Sequence, residues 1–345
     1  MNDKLGSQKR AIESKSWLPN DEASLAYSCH GGGYYIGKSE ELIQSKPFKK
    51  LKGKVNLILT SPPYPLNAKK SYGNLSGDQY LEWFTNMAPI FSNLLTEDGS
   101  IVIELGNSWE EKRPVQSLLH LEALLAFTKH KDAGLRLVQQ FVCYNPTRLP
   151  SPAAWVTIDR IRTTDSFTHV WWLAKSDFPK ADNSKVLRPY SKSMKQLLSK
   201  GKYNSGNRPS EHKISKESFL TNHGGAIAHN MFELEAMDSD REVRLPNAFS
   251  FANTASNDYF HRACKAEGIT PHPARMPSGL ASFFINFLTD KKDLVLDPFG
   301  GSNTTGFTAA INERRWITVD ASNDYVKQSQ LRFADPTLAI NNPKI

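Results

Sequence analysis

Short apolar runs recur along the chain: "YYIG" (34–37), "VNLILT" (55–60), "SIVIEL" (100–105), "LVQQFVCY" (137–144), "HVWWLA" (169–174), "LVLDPF" (294–299) and "WITVD" (316–320). Runs of this length without a polar alternate face are expected of strands buried on both sides, as in a parallel sheet. Between them the spacing turns helical. Residues 78–95 place Tyr80, Leu81, Phe84, Met87, Ala88, Phe91 and Leu95 along one face, with Pro89 as a candidate kink. Helices are also predicted over 117–130, 278–289 and 302–313, the last directly after a strand. Strands alternating with helices predict an α/β fold with a mostly parallel sheet.

Residues 179–270 break this rhythm, being rich in Lys, Ser, Asn and Gly and poor in long apolar runs. They read as a module inserted into the α/β core, which then comprises 34–178 and 271–335. Residues 1–33 read as an extension ending in "HGGG", and 336–345 as a tail.

The length of 345 residues suits two domains, or one large α/β domain with an insertion. No apolar stretch reaches the roughly eighteen residues of a membrane span, and the polar start lacks the apolar middle of a signal peptide. Three well-separated cysteines (Cys29, Cys143, Cys264) make neither a disulfide framework nor a metal spacing, which fits a cytoplasmic protein without a metal.

Charge sharpens the picture. Of 43 Lys/Arg and 35 Asp/Glu, ten basic and two acidic residues fall between Lys180 and Lys216, leaving 33 of each sign elsewhere. The excess of +8 is therefore confined to the insert. A solvated basic loop would explain it; a surface for nucleic-acid phosphates explains it better, because clustered cations release counterions there.

Two segments carry candidate chemistry. In "LVLDPFGGSNTTG" a strand ends in Asp297 and turns through Gly300 and Gly301 into a helix start, allowing backbone to approach a ligand closely. Neither a Walker A loop nor a dinucleotide fingerprint is present. The next strand ends in Asp320, 23 positions on, where an acid can hold a ribose diol. Together these suit a nucleoside with a charged amino-acid tail, such as S-adenosylmethionine. An ordinary tight strand–helix turn is the competing explanation.

The second segment is Ser61-Pro62-Pro63-Tyr64. Prolines fix φ and remove N–H donors, so the strand exits into a stiff edge that only accepts hydrogen bonds. Ser61 Oγ and the Pro62 carbonyl can take both hydrogens of one amino group while Tyr64 stacks on the ring bearing it. An exocyclic amine on a flat heterocycle is a poor nucleophile. Two acceptors direct its lone pair outward, towards a methyl held in line. A base in a duplex must be flipped out to reach such a site.

On these residues the chain resembles the amino-methylating DNA methyltransferases of restriction–modification systems, in their cytosine-N4 branch and its PvuII-type members. "TSPPY" (60–64) is similar to the catalytic motif and "DPFGGSNTTG" (297–306) to the cofactor motif. "HPARMPSGLASFFI" (272–285) is similar to the segment that closes the cofactor pocket. The resemblance spans roughly 34–335 and shares a "KKSYGN"-like loop and a "VWWLAKS"-like strand. Catalytic motif first, target-recognition region second and cofactor motif last is the β order. The resemblance implies a circularly permuted, Rossmann-like, seven-stranded S-adenosylmethionine-dependent methyltransferase sheet with an inserted target-recognition region (179–270). It implies that Ser61, Pro62, Pro63 and Tyr64 hold the flipped cytosine. Asp297, Pro298, Phe299, Gly301, Ser302, Thr304 and His272 would line the cofactor, with Asp320 on its ribose. Lys69, Lys70, Arg208, His212 and Lys213 would touch double-stranded DNA. No obligate protein partner is implied. Two departures stand out: the branch usually has Glu at Asp320 and often Asp at Lys38.

Other readings remain open. Cytosine-C5 methylation needs a nucleophilic Cys, normally after Pro, and "SCH", "VCY" and "ACK" do not provide one. Adenine-N6 methylation uses the same amine chemistry with Asp or Asn at position 61, so Ser61 favours cytosine. Protein-glutamine methylation typically uses Asn-Pro-Pro-Tyr and gives no reason for a basic insert. An inactive DNA-binding regulator would retain the fold without the reaction.

Overall fold

A computed structural model describes residues 17–64, 75, 77–202, 206–207, 209, 213–214, 219–235, 249–252, 259–272 and 274–334. Its strands are β1 (Leu25–Cys29), β2 (Gly32–Ile36), β3 (Val55–Thr60), β4 (Leu95–Leu105), β5 (Arg136–Tyr144), β6 (Phe167–Ala174), β7 (Gly206–Asn207), β8 (Lys213–Ile214), β9 (Met231–Glu235), β10 (Phe249–Ala252), β11 (Leu294–Asp297) and β12 (Arg315–Asp320). The helices are α1 (Ser39–Leu42), α2 (Gly77–Leu94), α3 (Leu119–Thr128), α4 (Lys192–Lys200), α5 (Tyr259–Ala266), α6 (Ser278–Leu288), α7 (Thr304–Ile311) and α8 (Asp324–Phe333). Each expected helix appears within two residues at either end. Pro89 sits inside α2 without ending it.

Ten strands form one sheet in the order β1-β2-β12-β11-β3-β4-β6-β5-β9-β10. The middle of the sheet is parallel from β2 through β4. Its strands explain the unbroken apolar runs, because both faces are covered. On β3, Ile58 packs on one side with Tyr80, Phe84 and Phe91 of α2, while Leu57 and Leu59 pack on the other with Leu280 and Phe284 of α6. β4 alternates likewise, with Ile101 and Ile103 on the first side and Val102 on the second.

Three findings differ from the sequence expectation. Among the described residues the sheet has ten strands rather than seven: β2-β12-β11-β3-β4-β6-β5 form an inner set, and β1, β9 and β10 extend it. "HVWWLA" is antiparallel to both its neighbours, because β5 and β6 form a hairpin; burial on two faces gives the same apolar run whichever way a strand points. The segments read as extension and insert both join the core. Residues 25–33 supply β1 and the start of β2, and β9 pairs in parallel with β5 from within 179–270. There Phe232 stacks on Phe141 with ring centroids 5.4 Å apart. Two basic residues of the insert are also spent on the core: Lys180 contacts Asp290 and Asp293, and Lys185 contacts Asp290. No described helix is long and apolar enough to cross a membrane.

The topology opens a crevice. The helix following β11 packs on one face of the sheet and the helix following β3 on the other. At such a switch point the chain leaves two adjacent strand ends in opposite directions, and ligands bind between them.

Candidate active site

Both sequence motifs end at that crevice. Thr60, the last residue of β3, donates its hydroxyl to Asp297 Oδ1, the last residue of β11, at 2.7 Å. Residues 237 positions apart in the chain are thereby joined at the floor of one cleft of about 740 Å³. Ser61, Pro62, Pro63 and Tyr64 line one end; His272, Asp297, Phe299, Gly301, Ser302, Thr304 and Asp320 line the other. Pro298 is part of the same turn, its carbonyl accepting from the Ser39 hydroxyl.

The glycine turn is pinned from outside. Tyr34 OH donates to the Gly301 carbonyl at 2.9 Å. Arg332 donates Nε–H to the Ser302 carbonyl and Nη2–H to Ser302 Oγ, at 2.6 and 2.9 Å. A Cβ on Gly300 would stand 2.0 Å from Thr318 Cγ2, so only glycine lets the turn lie against β12. Gly301 has φ +48° and sits under the His272 ring. That ring accepts the Ala274 N–H on Nδ1 at 3.2 Å, which leaves Nε2 as the protonated nitrogen over the turn. Phe299 packs against Trp83 at 5.4 Å.

The two acids differ in surroundings. Asp297 is 5 % exposed, and burial pushes its pKa up to about 6 against hydrogen bonds from Thr60, Thr305 and the Phe299 amide. Burial also raises Asp320, against the amides of Ser322 and Gly301, which donate to its two oxygens at 2.9 and 2.7 Å. Neither acid has a salt-bridge partner among the described residues. The cleft thus presents the Asp297 and Asp320 carboxylates, neither in an ion pair among the described residues, beside a turn too tight for side chains. These features fit a ligand with a cationic centre and a nucleoside hydroxyl pair.

At the other end, Ser61 donates its hydrogen to Tyr64 OH at 3.4 Å, which leaves the Ser61 lone pairs free to accept. The Tyr64 ring lies against Gly106, where a Cβ would come within 2.6 Å of it. Burial first, and the Glu104 carboxyl second, push the Tyr64 phenol well above its ordinary range, so it stays protonated. Glu104 is one residue the sequence reading missed. It ends the buried face of β4, is 6 % exposed, and accepts from Thr168 Oγ1 at 3.0 Å. Burial moves its pKa to about 7, with Thr168 and Arg148 opposing. A carboxylate interrupting "IVIEL" was the available signal.

Other expected site residues fall elsewhere. Lys69, Lys70, Arg208 and His212 lie outside the described residues. Lys213 lies on β8, which pairs with β7 apart from the main sheet. Lys38 is exposed, paired with Glu41 at 3.1 Å, and not among the residues that line the cleft. Cys143 is buried on β5, and burial raises its thiol far above the ordinary value. Among the described residues no group of His, Cys, Asp and Glu could hold a metal.

Comparison with known proteins identifies a family. A DNA methylase family model matches residues 55–331. The type II methyltransferase M.PvuII of Proteus hauseri is 38 % identical over 316 residues, covering 91 % of this chain and 87 % of that protein. The solved structure of the PvuII DNA methyltransferase, described as cytosine-N4-specific, superposes with TM-score 0.64 at 32 % identity over 90 % of each chain. A shorter stretch of 62 residues, 18 % of this chain, is 36 % identical to the DNA adenine methyltransferase YhdJ of Escherichia coli K12, covering 21 % of it.

Proposed function

Because the chain belongs to the family of DNA methylases, the N6/N4 amino-methyltransferases, we propose that it methylates the N4 amine of a cytosine flipped out of duplex DNA, using S-adenosylmethionine. The observation that carries this reading is the single cleft that joins an acceptor-only edge at Ser61–Pro62 to the Asp297–Gly301–Asp320 pocket. S-adenosylmethionine, when bound, supplies a methyl group made electrophilic by its sulfonium. Asp320 would hold its ribose hydroxyls. Asp297 and the Gly300–Gly301 turn would hold its amino-acid end, and His272 would cover the turn from above.

The remaining work falls to the chain's own side chains. Ser61 Oγ and the Pro62 carbonyl accept the two hydrogens of the amine and turn its lone pair towards the cofactor end of the cleft. The amine proton becomes acidic only as the new N–C bond forms, so no strong resident base is needed. Tyr64, fixed against Gly106, offers a flat face to the base. The basic insert, with Lys192, Lys195 and Lys200 on α4, supplies phosphate contacts. Similarity to the solved PvuII cytosine-N4-specific methyltransferase supports cytosine over adenine, and similarity to the type II methyltransferase M.PvuII supports a role as the modification half of a cytoplasmic restriction–modification pair. The β-type circular permutation is part of the same proposal.

Nucleoside mass analysis of DNA from cells expressing the chain tests it. N4-methylcytosine is the expected product. N6-methyladenine would transfer the assignment to the adenine branch, and DNA without either mark would overturn it. Sequencing of the marked DNA maps the recognition site.

A further inference from the structure

Beyond the catalytic motif, one buried side chain faces the base end of the cleft with half its hydrogen-bonding capacity unused. Asn107 follows β4, is 6 % exposed and lines the cleft beside Ser61 and Tyr64. Its Oδ1 is held by His169 Nε2 at 2.7 Å. His169 stands on β6 opposite Leu105 and takes a contact from Gln140 Nε2 on its other nitrogen at 3.4 Å. With Gln140 donating to Nδ1, the proton is on Nε2, and Asn107 Oδ1 is the acceptor. Asn107 Nδ2 is then the end of the amide left over, and it has no acceptor among the described residues.

The support for this amide is rigid. The His169 ring is 8 % exposed, stacked on His120 at 4.8 Å and met edge-on by Phe167 at 5.3 Å. Burial, then the neighbouring His120, hold the pKa of His169 at about 4, so it remains a neutral single donor at any working pH. A neutral imidazole held by its contacts with His120 and Phe167 fixes which way the Asn107 amide points.

The chemistry of the proposed substrate says what it is for. Once Ser61 and Pro62 hold the N4 hydrogens, the remaining polar atoms on the same edge of cytosine are N3 and O2, both acceptors. In a closed cleft an acceptor without a donor is costly. Adenine presents a ring nitrogen in the place of N3 but a C–H in the place of O2. A fixed donor aimed at O2 therefore separates the two bases where the amine cannot. We infer that Asn107 is a specificity-determining residue, its Nδ2 donating to O2 of the flipped cytosine, with His169 as the positioning residue that sets the amide's orientation.

The inference rests on the cytosine reading, so wild-type methylation of the mapped duplex is measured first. An unmodified duplex, or methyladenine, would remove that foundation and the inference with it. Binding is then measured for duplexes carrying at the target position cytosine, an abasic site, or a 2-aminopyridine C-nucleoside. That analogue keeps the amine and ring nitrogen but has C–H for the carbonyl. The wild type is expected to bind the cytosine duplex about tenfold more tightly than the aminopyridine duplex. Asn107→Ala is expected to lose that preference and leave abasic binding unchanged. Asn107→Asp, which replaces the donor by an acceptor, should prefer the analogue. His169→Ala should lose part of the preference, and His169→Gln, which retains an N–H donor, should recover some of it. An Asn107→Ala variant that keeps the wild-type preference, or loses affinity equally for all three duplexes, would overturn the assignment. If neither Asn107 variant folds, the wild-type comparison decides alone: equal binding of cytosine and aminopyridine duplexes sinks it.

Discussion

Glu104→Gln isolates one buried titration. The carboxyl is 6 % exposed on β4 and has one described hydrogen-bond donor, Thr168 Oγ1 at 3.0 Å. Its pKa rises from 4.5 to about 7, with burial the dominant cause. A pKa raised on folding means that the native state holds a proton the unfolded state has released. The stability linked to this proton is fully present below about pH 4.5 and is lost as the pH rises through 7. At 1.36 kcal/mol per unit, the loss is about 3 kcal/mol between those limits. Asp297 titrates over an overlapping range, with a pKa raised to about 6, but it is common to both proteins and cancels in their difference. Glutamine keeps the shape and an acceptor for Thr168 but cannot ionise. Urea denaturation at pH 4.5, 6 and 8 should therefore show the variant gaining about 3 kcal/mol on the wild type across the series, with the two within about 1 kcal/mol at the acid end. Parallel stability profiles across this range would refute the reasoning. They would mean that the Glu104 site admits enough water, or enough help from Arg148, to ionise without cost.

Three further substitutions probe the cleft. Ser61→Ala should lower kcat at least a hundredfold, while calorimetry gives a Kd for S-adenosylmethionine within about twofold of wild type; full activity would remove Ser61 from the catalytic edge. Gly106→Ala places a methyl 2.6 Å from the Tyr64 ring and so must displace it; single-turnover rates should fall with cofactor affinity unchanged, and an unaltered rate would show that the ring's seat is unimportant. Asp320→Asn keeps one acceptor for the Gly301 or Ser322 amide but removes the charge. Cofactor Kd should rise about tenfold in calorimetry, and an unchanged Kd would argue against a ribose contact there.

The elements that the sequence reveals are those whose burial leaves a continuous trace. β3 and β4 are covered on both faces, so their letters form unbroken apolar runs. The same burial erases direction, which is why β6 carries no mark of being antiparallel. β9 and β10 are five and four residues long and sit in polar surroundings. β1 carries the half-buried "LAYSC", with no alternation to announce it. In the cleft, the residues legible in advance are those whose type is forced by backbone geometry. Pro62 and Pro63 end a strand, Gly300 has no room for a Cβ, and Asp297 and Asp320 close adjacent strands. Glu104, Asn107 and His169 are single polar letters whose meaning depends on which strand lies opposite.

That dependence follows from the topology. A crevice at a switch point is walled by two strand ends that are neighbours in space and remote in sequence, here β3 and β11. Each wall carries its own motif, and each motif can be read alone, because a strand followed by a turn is a local object. The residues packed between and behind the walls are different. Glu104 and Asn107 follow from β4 being next to β3, and His169 from β6 being paired antiparallel with β4. Chemistry at the walls is thus written locally, whereas discrimination between bases depends on contacts that only the folded sheet creates. On this argument two chains with identical wall motifs can differ in which base they accept. The residues to compare between them are those at the end of the strand beside the proline turn and those of the antiparallel strand that faces it.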